Sequence, residues 1–156
     1  MVRVPQNPET QTPYTGPCPP TKEQLAANPI VRSTLDEAMK GSQDRRVEHG
    51  GWIFWNAKSR QIATLIKEPT IAPLNPDVTD TYFMVHLNNP PTSPKGWYIV
   101  GTFHTHPENV NEDPQDIAVD NSRKVPGMVR MPNGGISPYG AYDRGIWNRD
   151  LPKNCQ

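Results

Sequence analysis

No stretch of the sequence is apolar enough to cross a membrane. None approaches the ~18 consecutive apolar residues that a spanning helix needs, and the opening MVRVPQNPETQ lacks the apolar core of a signal peptide. An excess charge of one sign is also missing. The 16 basic and 16 acidic residues cancel, and without a basic stripe a nucleic acid has no electrostatic footprint to meet. The run Asp44-Arg45-Arg46 is too short to make one and reads as a solvated turn. Cysteine is scarce: Cys18 and Cys155 stand near opposite ends and neither lies in a C-x-x-C, so a four-thiolate zinc site is excluded. The two thiols leave two readings open, unpaired cysteines in a reducing compartment or a disulfide tying leader to tail in an oxidising one. No G-x-S-x-G marks a serine hydrolase, and the pairing of H-x-E with P-C-x-x-C found in zinc nucleobase deaminases is not met.

What is present is proline, 19 of 156 residues, and it accounts for much of the low hydrophobic content of 34%. The length suits one domain with a modest core. Residues 1–20, with VPQNPETQTPYTGPCPP, read as an extended or disordered leader, because proline removes donors and fixes φ; residues 21–156 form the domain. Thr21-Lys-Glu-Gln24 looks like a capping box that opens a helix. Asn28-Pro29 looks like a second start, with Ile30, Val31, Leu35, Ala38 and Met39 on one face and Gly41 as the stop. Strands are expected over Val47–Asn56, Gln61–Lys67, Thr79–Leu87 and Trp97–His106. A helix from Asp113-Pro114 to Lys124 follows, then strands Val125–Met131 and Ile136–Tyr142 around the turn Pro132-Asn-Gly-Gly135. This order predicts an α/β (α+β) domain with a mixed, mainly antiparallel sheet.

The stretch GTFHTHP, residues 101–107, carries the chemistry. Residues two apart on a strand face one way, so His104 and His106 present two imidazoles on one side. Imidazole suits zinc, and a catalytic zinc site takes three protein ligands and leaves a position open. Three aspartates follow. Asp113 reads as the helix cap, and Asp116 sits in the first helical turn facing back toward the strand end, the best third ligand; Asp120 lies a turn further on. Hydrolysis also needs a proton acceptor. Glu48 precedes Gly50 and Gly51 in a bulky apolar strand, where a carboxylate demands a reason. It is the candidate general base for a zinc-activated water.

Glu48 before Gly50-Gly51, then His104-Thr105-His106-Pro107, then Asp116 resembles the pattern of the JAMM (JAB/MPN) zinc metalloproteases, over roughly residues 30–131. The interval of 56 positions from Glu48 to His104 is similar to the family's. The resemblance implies a curved mixed sheet flanked by helices, similar to the cytidine deaminase fold. It implies one zinc ion on His104, His106 and Asp116, with Glu48 catalytic, and hydrolysis of a peptide or isopeptide bond in a protein substrate such as a ubiquitin-like or cell-wall peptide. The chain departs from the pattern at Asp113, which stands where the family has a serine that helps stabilise the oxyanion, and the interval before it is one residue shorter. An ionised aspartate would repel an oxyanion; Thr105 or backbone N–H groups near Asn109–Asn111 are the substitutes considered. The short chain and its closing sequence resemble the bacterial JAB-type domains of polymorphic toxins, which implies a cognate immunity protein and either a cytoplasmic or a secreted location. The family also includes members that kept the fold and lost the metal, so a catalytically inactive binding module is the second expectation.

Other polar and aromatic residues have plainer roles. His49 points away from Glu48 and reads as a surface residue, and His86 as an ordinary strand position. Trp52, Trp55 and Trp97 read as core. The segment Asp143–Arg149, with Trp147, is either surface packing or a flexible arm toward substrate.

Overall fold

The computed structural model describes residues 2–3, 16–45, 48–67, 87, 89–106 and 114–156, with backbone alone at 2–3, 43–45 and 114–116. The expected helix starts form as read. Helix α1 (Lys22–Ala27) opens on a capping box: the Gln24 amide donates to Thr21 Oγ1 at 3.2 Å and the Thr21 amide to Gln24 Oε1 at 2.8 Å. Helix α2 (Pro29–Arg45) begins at Asn28, whose Oδ1 accepts from the amides of Ile30 and Val31. Each cap satisfies donors that the first turn leaves unpaired, worth about 1 kcal/mol.

Gly41 does not stop α2, which runs on to Arg45. The glycine serves a close approach instead, since a Cβ there would come 3.1 Å from His49 Cε1. His49 is correspondingly half-buried against the helix, not a surface residue.

Among the described residues, six strands form one sheet in the order β1-β3-β2-β4-β5-β6. They are β1 (Val2–Arg3), β2 (Gly50–Asn56), β3 (Ile62–Lys67), β4 (Trp97–Thr105), β5 (Gly127–Arg130) and β6 (Ile136–Tyr139). Of these described strands only β4 and β5 run parallel, joined through α3 (Pro114–Arg123); the other pairs are antiparallel. The α/β class and the mixed, mainly antiparallel sheet agree with the expectation. The strand expected at Thr79–Leu87 lies outside the described residues, apart from Leu87, which is buried and whose carbonyl accepts from Trp52 Nε1.

The sheet's two faces differ. One carries Ile53, Trp55, Ile62, Val100, Phe103 and Met128, packed under Leu25 of α1 and Val31, Leu35 and Ala38 of α2. The hydroxyls of Thr34 and Thr64, buried on this face, meet at 2.7 Å and so spare each other an unpaired polar group. The other face has Trp52, Phe54, Ala63, Leu65 and Ile99 at one end, covered by Trp97 and Trp147. The tail is therefore packed, with the Trp147 amide bonded to the Ile99 carbonyl and the Arg123 guanidinium 5.5 Å from the Trp147 ring centre. Cys18 and Cys155 form a disulfide that fastens the end of the leader to the last turn of the chain, with Cα atoms 5.5 Å apart. Closing a loop of 137 residues restricts the unfolded chain far more than the folded one.

One irregularity in β4 decides what the second face presents. Ile53 pairs with Gly101 and Phe54 with Ile99, so Val100 has no partner of its own and bulges. Before the bulge, the odd residue Ile99 packs in the Trp52 and Phe54 cluster. After it, Phe103 packs under the helices, and the even residues Thr102 and His104 take the face opposite.

Candidate functional site

His104 and His106 lie at the end of β4 on the face that α3 covers, and both are buried. His106 falls just past the strand, yet its amide still bonds to the Arg130 carbonyl, so the ladder with β5 continues through it. The two imidazoles converge: Nε2 of His104 is 3.0 Å from Nε2 of His106. Two nitrogens bound to one tetrahedral zinc at about 2.0–2.1 Å would be about 3.3 Å apart. The pair is thus close to the spacing that one ion requires, and the histidines expected to act together do meet.

The register of β2 against β4 brings in Glu48. Gly50 pairs with His104, and the Thr105 amide bonds to the His49 carbonyl at 2.7 Å, which extends the ladder by one residue. Glu48 itself precedes β2; strand alternation carried one residue further would set it across from His106. Its side chain is 4% exposed, so this carboxylate sits away from bulk water. The two glycines after it have different uses. Gly51 belongs to the helix-side face, where a Cβ would overlap the Leu65 carbonyl and lie 2.9 Å from Phe103 Cζ. Gly50, across from His104, adds no side chain to the histidine's face.

Thr105 points the other way. Its hydroxyl accepts from the His49 amide at 3.0 Å, which makes it a lock between β4 and the residues before β2. Asp116 lies in the first turn of α3, but its side chain, like the whole of Asp113, is outside the described residues. Asp120, one turn on, is buried, and its two oxygens accept from the Thr102 hydroxyl at 3.0 and 2.8 Å. That contact docks α3 against β4 immediately below His104. Among the described residues, no third histidine, cysteine, aspartate or glutamate joins the pair in a metal-holding group.

Tyr139 was not singled out by sequence. Its hydroxyl is 3.3 Å from His104 Nδ1, and the two rings meet edge to face, 5.8 Å between centres. Tyr139 pairs with Gly127, and Gly127 with Thr102, so the phenol reaches His104 over the one β5 residue without a side chain. The alternation of β6 hints only that Ser137 and Tyr139 share a face. The two strand pairings that carry that face to His104 cannot be read from the sequence.

Two buried imidazoles that converge through Nε2 can hold a cation or move a proton. No family model matches the chain, and no curated protein or solved structure matches it.

Proposed function

We propose that the protein is a zinc-dependent hydrolase of the JAMM type, with the JAB/MPN fold, that cleaves a peptide or isopeptide bond. The observation that carries this reading is the 3.0 Å convergence of His104 and His106 through Nε2 on a buried face. The donor set suits zinc, since neutral imidazole is among its preferred ligands. His104 and His106 would hold the ion, with Asp116 as third ligand. Bound there, zinc supplies a Lewis acid that acidifies water and polarises a carbonyl. Glu48, which strand alternation would set across from His106, takes the proton of the attacking water and hands it to the leaving amine. Its burial sets the carboxylate apart from bulk water, and Gly50 adds no side chain across from His104. A bacterial effector setting, with a cognate immunity protein as partner, follows from the resemblance alone.

Elemental analysis of the purified protein tests the reading, with one zinc per chain expected. The Glu48→Gln variant should keep that zinc and lose about 10²–10⁴-fold in cleavage of a peptide or isopeptide substrate. The His104→Ala variant should lose the zinc. Wild-type protein that neither carries nor takes up zinc would sink the enzyme and favour the inactive binding module. Cleavage that survives Glu48→Gln would remove Glu48 from the mechanism.

A further inference from the structure

Three buried side chains behind His104 have no part in the mechanism above. Thr102, Asp120 and Tyr139 come from β4, α3 and β6, and none is more than 4% exposed. They meet at Gly127, where a Cβ would run into Asp120 Oδ2 and lie 2.5 Å from the Tyr139 hydroxyl oxygen. The carboxylate and the phenol therefore converge on the same small space.

The chemistry of these groups sets the direction of their hydrogen bonds. An ionised carboxylate only accepts, and a phenol has one proton to give. Thr102 already gives its proton to Asp120. If Tyr139 gives its proton to this carboxylate too, its lone pairs turn to His104. The contact between Tyr139 and His104 Nδ1 is then an Nδ1–H donating to the phenol oxygen. A neutral imidazole with its proton on Nδ1 has a bare lone pair on Nε2, the atom aimed at His106. The opposite direction would put a proton on the nitrogen that has to face an ion.

We propose that Tyr139, backed by Asp120, is a positioning residue that holds His104 as its Nδ1–H tautomer and so keeps Nε2 free to bind a metal; this rests on the zinc reading above. The consequence for His106 is direct. With Nε2 of His104 bare, the 3.0 Å contact between the rings is made by the His106 Nε2–H in the metal-free protein. One histidine is then preset for the ion and only the other has to rearrange. A partner on the far ring nitrogen of a ligating histidine is worth 10–100-fold in metal affinity.

The test reads tautomers and zinc affinity separately. Long-range proton–nitrogen spectra of the metal-free, ¹⁵N-labelled protein should show His104 with the proton on Nδ1. The Tyr139→Phe variant keeps the ring and removes only the hydroxyl. It should give a mixture of His104 tautomers and bind zinc about 10–100-fold more weakly in competition with a chelator. The Asp120→Asn variant, whose amide can donate to the phenol, should push His104 toward the Nε2–H form. The proposal is overturned if wild-type His104 carries its proton on Nε2, or if Tyr139→Phe leaves the tautomer unchanged and zinc affinity within about twofold. Wild-type protein that takes up no zinc overturns the metal reading itself. The tautomer spectra, recorded without metal, tell that failure apart from failure of the hydrogen-bond assignment.

Discussion

The two halves of β4 are built from the same alternation but give opposite results. In the first half, Ile99 joins the tryptophan cluster on the α3 side of the sheet. In the second, Phe103 goes to the α2 side, and the α3 side receives Thr102 and His104. The extra residue at Val100 separates them. Without it, the histidines would point into Leu35 and Ala38, and Phe103 would point at Asp120. A chemical site is thus carved from an otherwise apolar strand by a single shift of parity, and the shift costs one unpaired residue in the ladder.

Deleting Val100 is the most severe way to break this comparison. It should rotate His104 and His106 into the apolar layer under α2, where each unpaired imidazole costs roughly 2–7 kcal/mol. Two such costs, about 4–14 kcal/mol together, are comparable with the whole stability of an ordinary domain, about 5–15 kcal/mol. Loss of the cooperative thermal transition is expected, and a variant that melts like the wild type would show that the bulge does not set the parity.

A milder pair of substitutions sharpens it. Phe103→Ala opens a cavity in the helix-side core and should cost about 3–5 kcal/mol. The neighbouring His104→Ala, on the polar face, should lower the urea midpoint clearly less, because it removes a polar group that burial already disfavours. Equal losses would mean that the two faces contribute alike to stability.

The smallest effect belongs to the rim. Lys124 and Asp150 meet at 2.6 Å with side chains 40% and 82% exposed. Hydrogen bonding and charge attraction from Lys124 hold the Asp150 carboxyl below its ordinary value, and the same contact raises Lys124. The carboxylate's share is present above the unfolded aspartate value and lost as pH falls through the folded one. The lysine's share is present below the unfolded lysine value and lost as pH rises through the raised one. Between them the pair is insensitive to pH, and salt screens it. Asp150→Asn should leave the melting temperature nearly unchanged at neutral pH, and NMR titration of Asp150 should show the depressed value relaxing toward normal in high salt.

How much of this was legible beforehand depended on range. The capping box at Thr21 and the Asn28 cap were readable because their partners lie within three residues. The pairing of His104 with His106 was readable because a strand repeats every two residues. Gly41 misled, because a glycine near the end of an apolar pattern looks the same whether it stops a helix or admits a ring from 8 positions further on. By sequence Thr105 suits a donor to the reaction, whereas its hydroxyl holds the His49 backbone. Asp120 suits a ligand less well than Asp116 by its place in the helix, and its burial against Thr102 is the contact that docks α3.

Local pattern alone was enough to put two imidazoles on a side of one strand; the strand expected from Val47 begins at Gly50, so the Glu48 carboxylate stands just ahead of it. The shared side follows from local periodicity, which acts over a few residues. The tertiary structure alone decided which side of the sheet that was, through the bulge at Val100. It also decided that Gly50 falls across from His104, that Tyr139 reaches His104 over Gly127, and that Cys18 closes on Cys155. Each depends on strand pairing or chain closure over tens of residues, and register, unlike period, leaves no mark in any one segment.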